Sequence, residues 1–130
     1  MSKNEFPRRP TEAELSILDV IWTRGKTTVR QVFDELRERQ EIGYTTVLKL
    51  MQIMTEKGLL ERDTSVRPQL FWASRARKQT QRLLVRDLLD RAFEGSSGSL
   101  ALQALSLRKS SPEELAQIRE LLDRLEEGQQ

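Results

Sequence analysis

Apolar residues return every three or four positions through the front of the chain, then every two, then every three or four again. Leu15, Leu18, Ile21 and Trp22 mark the first helical face. Thr11-Glu12-Ala13-Glu14 stands ahead of it with capping-box spacing, Thr11 as N-cap and Glu14 reaching back, and Gly25 ends it. Thr28-Val29-Arg30-Gln31 opens a second helix the same way. Val29, Val32, Phe33 and Leu36 point inward there, and Arg30, Asp34, Glu35, Arg37 and Glu38 point to water. After Gly43 comes a third helix, with Val47, Leu50, Met51 and Met54 on one face and Gly58 placed to cap its end. The period then shortens. Leu59–Arg62 and Gln69–Trp72 read as strands around a turn from Asp63 to Pro68, a hairpin in which Pro68 fits only at an edge or tip.

Helical spacing resumes from about Arg75 to Phe93, where Leu84, Val85, Leu88, Leu89, Ala92 and Phe93 form a wide apolar face. Gly95-Ser96-Ser97-Gly98-Ser99 breaks the pattern, and a shorter helix is expected over roughly Leu100–Leu107. Ser111-Pro112-Glu113-Glu114 is a helix start, with Ser at N-cap, Pro at N1 and Glu at N3. Leu115, Ile118, Leu122 and Leu125 follow at intervals of three, four and three. The expected architecture is mainly α. Residues 11–74 form an N-terminal winged helix-turn-helix of three helices plus a β-hairpin wing. Residues 75–130 form a helical region suited to dimerisation, and residues 1–10 form a flexible arm.

Composition narrows the chemistry. The 130 residues contain neither Cys nor His. This removes disulfides, the usual zinc and copper ligands, and the commonest nucleophile and general base. No convergent carboxylate pair stands out either, so an enzyme is a poor reading, and no cofactor or metal is expected. No apolar run approaches the roughly 20 residues that span a bilayer. The opening MSKNEFPRRP has no apolar core of a signal peptide, so a cytoplasmic protein without membrane association is expected. The net charge of +2 hides an asymmetry: residues 1–82 hold 16 Lys and Arg against 11 Asp and Glu, and residues 83–130 hold 6 against 9. A basic front and an acidic rear point to a polyanionic partner for the front alone.

The outward side of the third helix sharpens that expectation. It carries Thr45, Leu48, Lys49, Gln52 and Thr55, with no carboxylate before Glu56. Three helices and a hairpin are the layout in which the third helix enters the DNA major groove and the wing meets the backbone. Thr45, Thr46 and Gln52 offer hydrogen bonds to base edges or phosphates, Lys49 attracts phosphate, and Leu48 suits a thymine methyl group. Arg67 at the wing tip and Arg62 beside it are the phosphate candidates outside the helix. Arg8 and Arg9 in the arm, and Arg75, Lys78 and Arg82 with Arg77 in the fourth helix, are solvated cations or further contacts. Phe71 and Trp72 could stack on bases, but at least one of them reads better as packing the wing onto the core, and Trp22 reads better as core.

In the rear, Leu84, Leu88, Leu89 and Phe93, with Leu115, Ile118, Leu122 and Leu125, need a covering surface. A second copy of the chain is the economical one, because a two-fold dimer presents two reading helices about one DNA turn apart. The alternative to the dimer is that both apolar faces pack against the front domain, and the alternative to DNA binding is a winged helix whose same face binds an acidic protein.

The segments PTEAELSILDVIW, TTVRQVFDEL, YTTVLKLMQIMTEKGLLER, FEG and SPEELAQIRELLDRL resemble the penicillinase-repressor family, BlaI/MecI, from Pro10 to Leu125. The resemblance implies a homodimeric transcriptional repressor that occludes palindromic double-stranded DNA operators. Its groove-facing residues would be Thr45, Thr46, Leu48 and Lys49, and its wing contact Arg67. The β-lactamase repressors in the family are cut at an Asn-Phe pair. The matching stretch here is Leu102-Gln103-Ala104-Leu105, which leaves a sensor peptidase open as a partner but places that cut in doubt. The C-terminal cysteine cluster of the copper-responsive branch is missing, and so is the Gly usual at the wing turn, where Asp63-Thr64-Ser65 stands instead.

Overall fold

The computed structural model describes residues 9–128. In chain order its elements are α1 (Glu12–Arg24), α2 (Val29–Leu36), α3 (Tyr44–Glu56), β1 (Leu60–Asp63), β2 (Leu70–Ala73), α4 (Arg77–Ala92), α5 (Ser97–Leu107) and α6 (Pro112–Gly128). The chain is mainly helical, with one antiparallel hairpin, as the hydrophobic period predicts. Most of the arm expected at residues 1–10 lies outside the described residues. Contacts divide the chain into two compact units inside α4, one running to Leu84 and one beginning at Val85.

Local chemistry sets the helix ends of the first unit. In α1, Thr11 Oγ1 accepts from the Glu14 amide at 3.2 Å, and Glu14 Oε1 accepts from the Thr11 amide at 2.9 Å. In α2, Thr28 and Gln31 exchange the same pair of bonds at 3.1 and 3.0 Å. Each reciprocal pair satisfies amides that the helix itself leaves without acceptors. At the end of α3 the amide of Leu59 reaches Met54 O at 2.8 Å and that of Gly58 reaches Thr55 O at 3.1 Å. This double closure needs a left-handed residue, and Gly58 supplies it with φ of 83°.

The three helices and the hairpin enclose a core of Ile17, Leu18, Val20, Ile21, Val29, Val32, Leu36, Val47, Met51, Met54, Leu59, Leu60 and Phe71. Ile17 and Val20 are fully buried although the one-face reading of α1 omits them. α1 is central: it contacts α2, α3 and β2, so its buried arc is wider than one stripe. Leu15 and Trp22 sit at the margin of that arc, packed against the core from its edge. The Trp22 indole N–H donates to the Arg75 carbonyl at 2.9 Å, which gives its polar edge a partner.

The hairpin pairs Leu60 with Ala73, Glu61 with Trp72, Arg62 with Phe71 and Asp63 with Leu70. Phe71 faces the core, while Lys26 lies 4.6 Å over the Trp72 ring. A further bridge, unmarked by any periodicity, joins Thr27 to Phe71 through bonds of 3.0 and 2.8 Å. It ties the loop before α2 to the wing. The missing turn glycine is replaced by a side-chain device: Asp63 Oδ1 accepts from the Ser65 amide at 2.9 Å and from the Ser65 hydroxyl.

In the second unit, α5 begins at Ser97, three residues ahead of the expected start, because Ser96 caps it by accepting from the Ser99 amide at 3.2 Å. α6 starts as expected, with Ser111 and Glu114 exchanging bonds of 2.8 and 3.0 Å. No described residue from Val85 onward is buried. Among the described residues no helix is long and apolar enough to cross a membrane.

Candidate nucleic-acid interface

The buried side of α3 is Val47, Met51 and Met54, which anchor the helix by its back. That leaves Thr45, Thr46, Lys49 and Gln52 exposed on its outer side, with Ile53 (37% exposed) beside them. The only carboxylate in α3 is Glu56, at its last residue. Leu48 differs from the sequence expectation of a fully outward residue. It lies at the border of the two faces, one position beyond Val47, and is partly buried against the core. At the start of α3, Tyr44 meets Phe33 of α2 edge to face, with ring centroids 5.8 Å apart.

The cations of this unit fall into two groups. Several are held by carboxylates: Arg24 lies 3.6 Å from Glu35, Arg30 3.4 Å from Asp34, and Arg39 and Arg77 3.1 and 2.9 Å from Asp19. Arg77 also donates to Thr23 and stacks 5.3 Å over Trp22, so within the cluster that opens α4 it is turned onto α1. Lys49, Arg62 and Arg67 are exposed and, among the described residues, have no ion pair. These three lie on α3, on β1 and at the hairpin tip. Arg9 is exposed, and Arg8 lies outside the described residues.

Between the start of α2, α3 and the hairpin runs an open groove of about 220 Å³. Leu48 and Phe71 contribute apolar surface, Arg30 and Arg62 bring charge, and Gln52 and Gln69 bring amides. No Asp or Glu lines it.

One ion pair supports α3 from behind, and sequence reasoning missed it. Lys57 Nζ lies 2.7 Å from Glu14 Oε1, and Glu14 is only 2% exposed. The residues are 43 positions apart, so no local pattern announces the pair. Burial pushes the Glu14 carboxyl upward. The hydrogen bond from Lys57, the Thr11 amide, the Lys57 charge and the Thr11 side chain together outweigh it and hold Glu14 below its ordinary 4.5. Asp19 is also held below the usual carboxylate range, first by the hydrogen bond from Arg39, against the opposing effect of burial, and then by Arg77.

The apolar residues expected to meet a second copy lie in the fourth and sixth helices. Leu88, Leu122 and Leu125 are about half exposed, and Leu89, Phe93, Leu115 and Ile118 are partly so. Leu84 falls at the end of the first unit. Leu102 and Leu107 of α5, together with Leu121 of α6, add apolar surface that the sequence reading did not single out.

The family model described as Penicillinase repressor matches residues 10–124. The transcriptional regulator BlaI of Mycobacterium tuberculosis, from strains CDC 1551 / Oshkosh and ATCC 25618 / H37Rv, is 30% identical over 118 residues, covering 90% of this chain and 85% of that protein. With that match running over most of its length and a regulator 30% identical across 90% of it, the chain belongs to the penicillinase repressor family of transcriptional regulators.

Proposed function

We propose that the chain is a sequence-specific, DNA-binding transcriptional repressor that works in the cytoplasm as a homodimer and blocks promoters by occupying palindromic operators. One observation carries the reading: α3 keeps its outer side free of carboxylates up to Glu56, and the cations Lys49, Arg62 and Arg67 stay out of the ion pairs that bind their neighbours. An unpaired exposed cation beside a helix is available to phosphate, and polar side chains on that helix are then positioned to meet base edges. Thr45, Thr46, Lys49 and Gln52 are the proposed groove-facing set, and Arg62 and Arg67 the proposed backbone contacts. Leu48 retains a part-exposed edge for a thymine methyl group.

In this reading residues 11–74 bind DNA and residues 75–130 join two copies. The name of the similar mycobacterial regulator, and the family as a whole, support the regulatory role. Gel shifts with fragmented genomic DNA test the proposal. A repressor retards a small subset of fragments at low protein concentration, and these recur in independent selections. A winged helix that binds an acidic protein instead leaves every fragment unshifted.

A further inference from the structure

The connection from the wing to α4 has no slack. β2 ends at Ala73 and α4 begins at Arg77, so Ser74, Arg75 and Ala76 alone join them. The Ser74 amide donates to Leu59 O at 3.0 Å, the Arg75 carbonyl accepts from the Trp22 indole at 2.9 Å, and the Ala76 amide donates to Gln79 Oε1 at 3.0 Å. Each connecting residue thus has a main-chain group held by a partner. Arg77 then grips α1. Its guanidinium donates to Asp19 Oδ1 at 2.9 Å and to Thr23 Oγ1 at 3.1 Å, and lies 5.3 Å over the Trp22 ring. The other Asp19 oxygen accepts from Arg39, which follows α2, at 3.1 Å. A lone exposed ion pair restrains little. Arg77 makes three contacts at once from a planar fork, and Thr80, about one turn on, is buried. All of these residues belong to the front unit, which runs to Leu84.

We infer that the Arg77 clamp on α1 fixes the direction in which α4 leaves the front unit, and so sets the half-site spacing that the homodimer accepts. The inference rests on the reading of the chain as a homodimer on palindromic operators. It adds a positioning residue that acts through α4 and not through a contact with bases. The argument is one of leverage. α4 has 16 residues and makes a rod about 24 Å long at 1.5 Å per residue. A tilt of about 10° at its root moves the far end by about 4 Å, more than the roughly 3.4 Å step of one base pair. Each added base pair also turns the duplex by roughly 35°. A held root therefore separates one spacing from the next, and a loose root does not.

The test uses the full chain and the tightest-bound palindromic fragment from the genomic selection. Copies of it lengthened by one or two base pairs at the centre, and a duplex carrying one half-site, complete the set. Affinities are read by fluorescence anisotropy. The wild type is expected to lose most of the gain from two linked half-sites on the lengthened copies, about a hundredfold. Arg77→Ala is expected to bind the original spacing about fivefold more weakly and to lose only about fivefold more on the lengthened copies, with the single half-site bound as before. Asp19→Asn keeps the side-chain shape, releases Arg77 and Arg39 together, and moves the same way. Arg77 and Asp19 are 41% and 42% exposed, so neither exchange opens the core. If both variants discriminate between spacings as the wild type does, or the wild type is indifferent to spacing, the clamp does not set it and the homodimer reading survives. Equal losses on the palindrome and the single half-site also overturn the inference, because Arg77 then acts on DNA contact or on the fold. If the wild type binds the palindrome no tighter than the single half-site, the homodimer reading fails and the role of the clamp with it.

Discussion

The two units of this chain are built on opposite terms. The front unit encloses thirteen buried apolar residues drawn from three helices and the hairpin. The rear unit has two complete helices and the end of a third, and buries none of its described residues. Leu102 is 70% and Leu107 79% exposed. Fully burying a leucine is worth roughly 1.5–3 kcal/mol, so a unit that leaves several in water forgoes the stabilisation that holds a small domain together. The front unit owes its fold to its own core. The rear unit is the part of the molecule that gains by meeting another surface, which is the basis for the proposal that it joins two copies.

The strongest way to break that contrast is to separate the units. Removal of residues 100–130, which takes away most of the rear unit, is expected to leave a folded, soluble, monomeric remainder that keeps the whole front. Linked half-sites are then lost, and operator affinity falls by roughly 10²–10⁴-fold. Analytical ultracentrifugation and anisotropy check both, and unchanged mass and affinity would refute that proposal.

A second large effect concerns the front alone. Lys57→Ala leaves the buried Glu14 carboxylate without its cation and is expected to cost about 3 kcal/mol by chemical denaturation. The pH dependence follows from the lowered Glu14 pKa. The stability this pair provides is complete above 4.5 and is lost as pH falls through the depressed folded value. The gap between wild type and variant therefore narrows in acid.

A smaller effect sharpens the comparison from the rear. Leu122→Asp, on a half-exposed position of α6, is expected to weaken self-association about a hundredfold in sedimentation while leaving thermal unfolding of the front unit in place. The smallest is Lys49→Ala, which is expected to weaken binding to all duplexes about tenfold, with a salt slope lower by about one. Leu48→Ala is expected to change preference at a thymine-containing step with little change on random DNA. Identical effects of the two on random DNA would erase the division between charge and contact.

What the sequence displays and what it hides follow from the range of each interaction. The Thr11/Glu14, Thr28/Gln31 and Ser111/Glu114 caps are legible because each spans three residues. The hairpin is legible because a short period and a turn are local signals. The Asp63–Ser65 bonds explain how its turn forms without glycine. Ile17 and Val20 escape because a helix packed on several sides has no single stripe. The Thr27–Phe71 bridge escapes because one paired residue has no period, and Glu14–Lys57 because its partners are remote in sequence. Leu48 is misplaced by an idealised wheel that assigns a border position wholly to one face. At the site, the residue types and the face of α3 are readable in advance. Which cations stay unpaired is not, since that depends on the carboxylates the fold brings near each one.

The central claim is that the uncluttered side of α3 meets a polyanionic duplex. Its most direct test is the affinity of the full chain for duplex DNA measured from low to moderate salt. The account predicts a linear fall of log affinity with log salt, with a slope of several units. A flat line would contradict it.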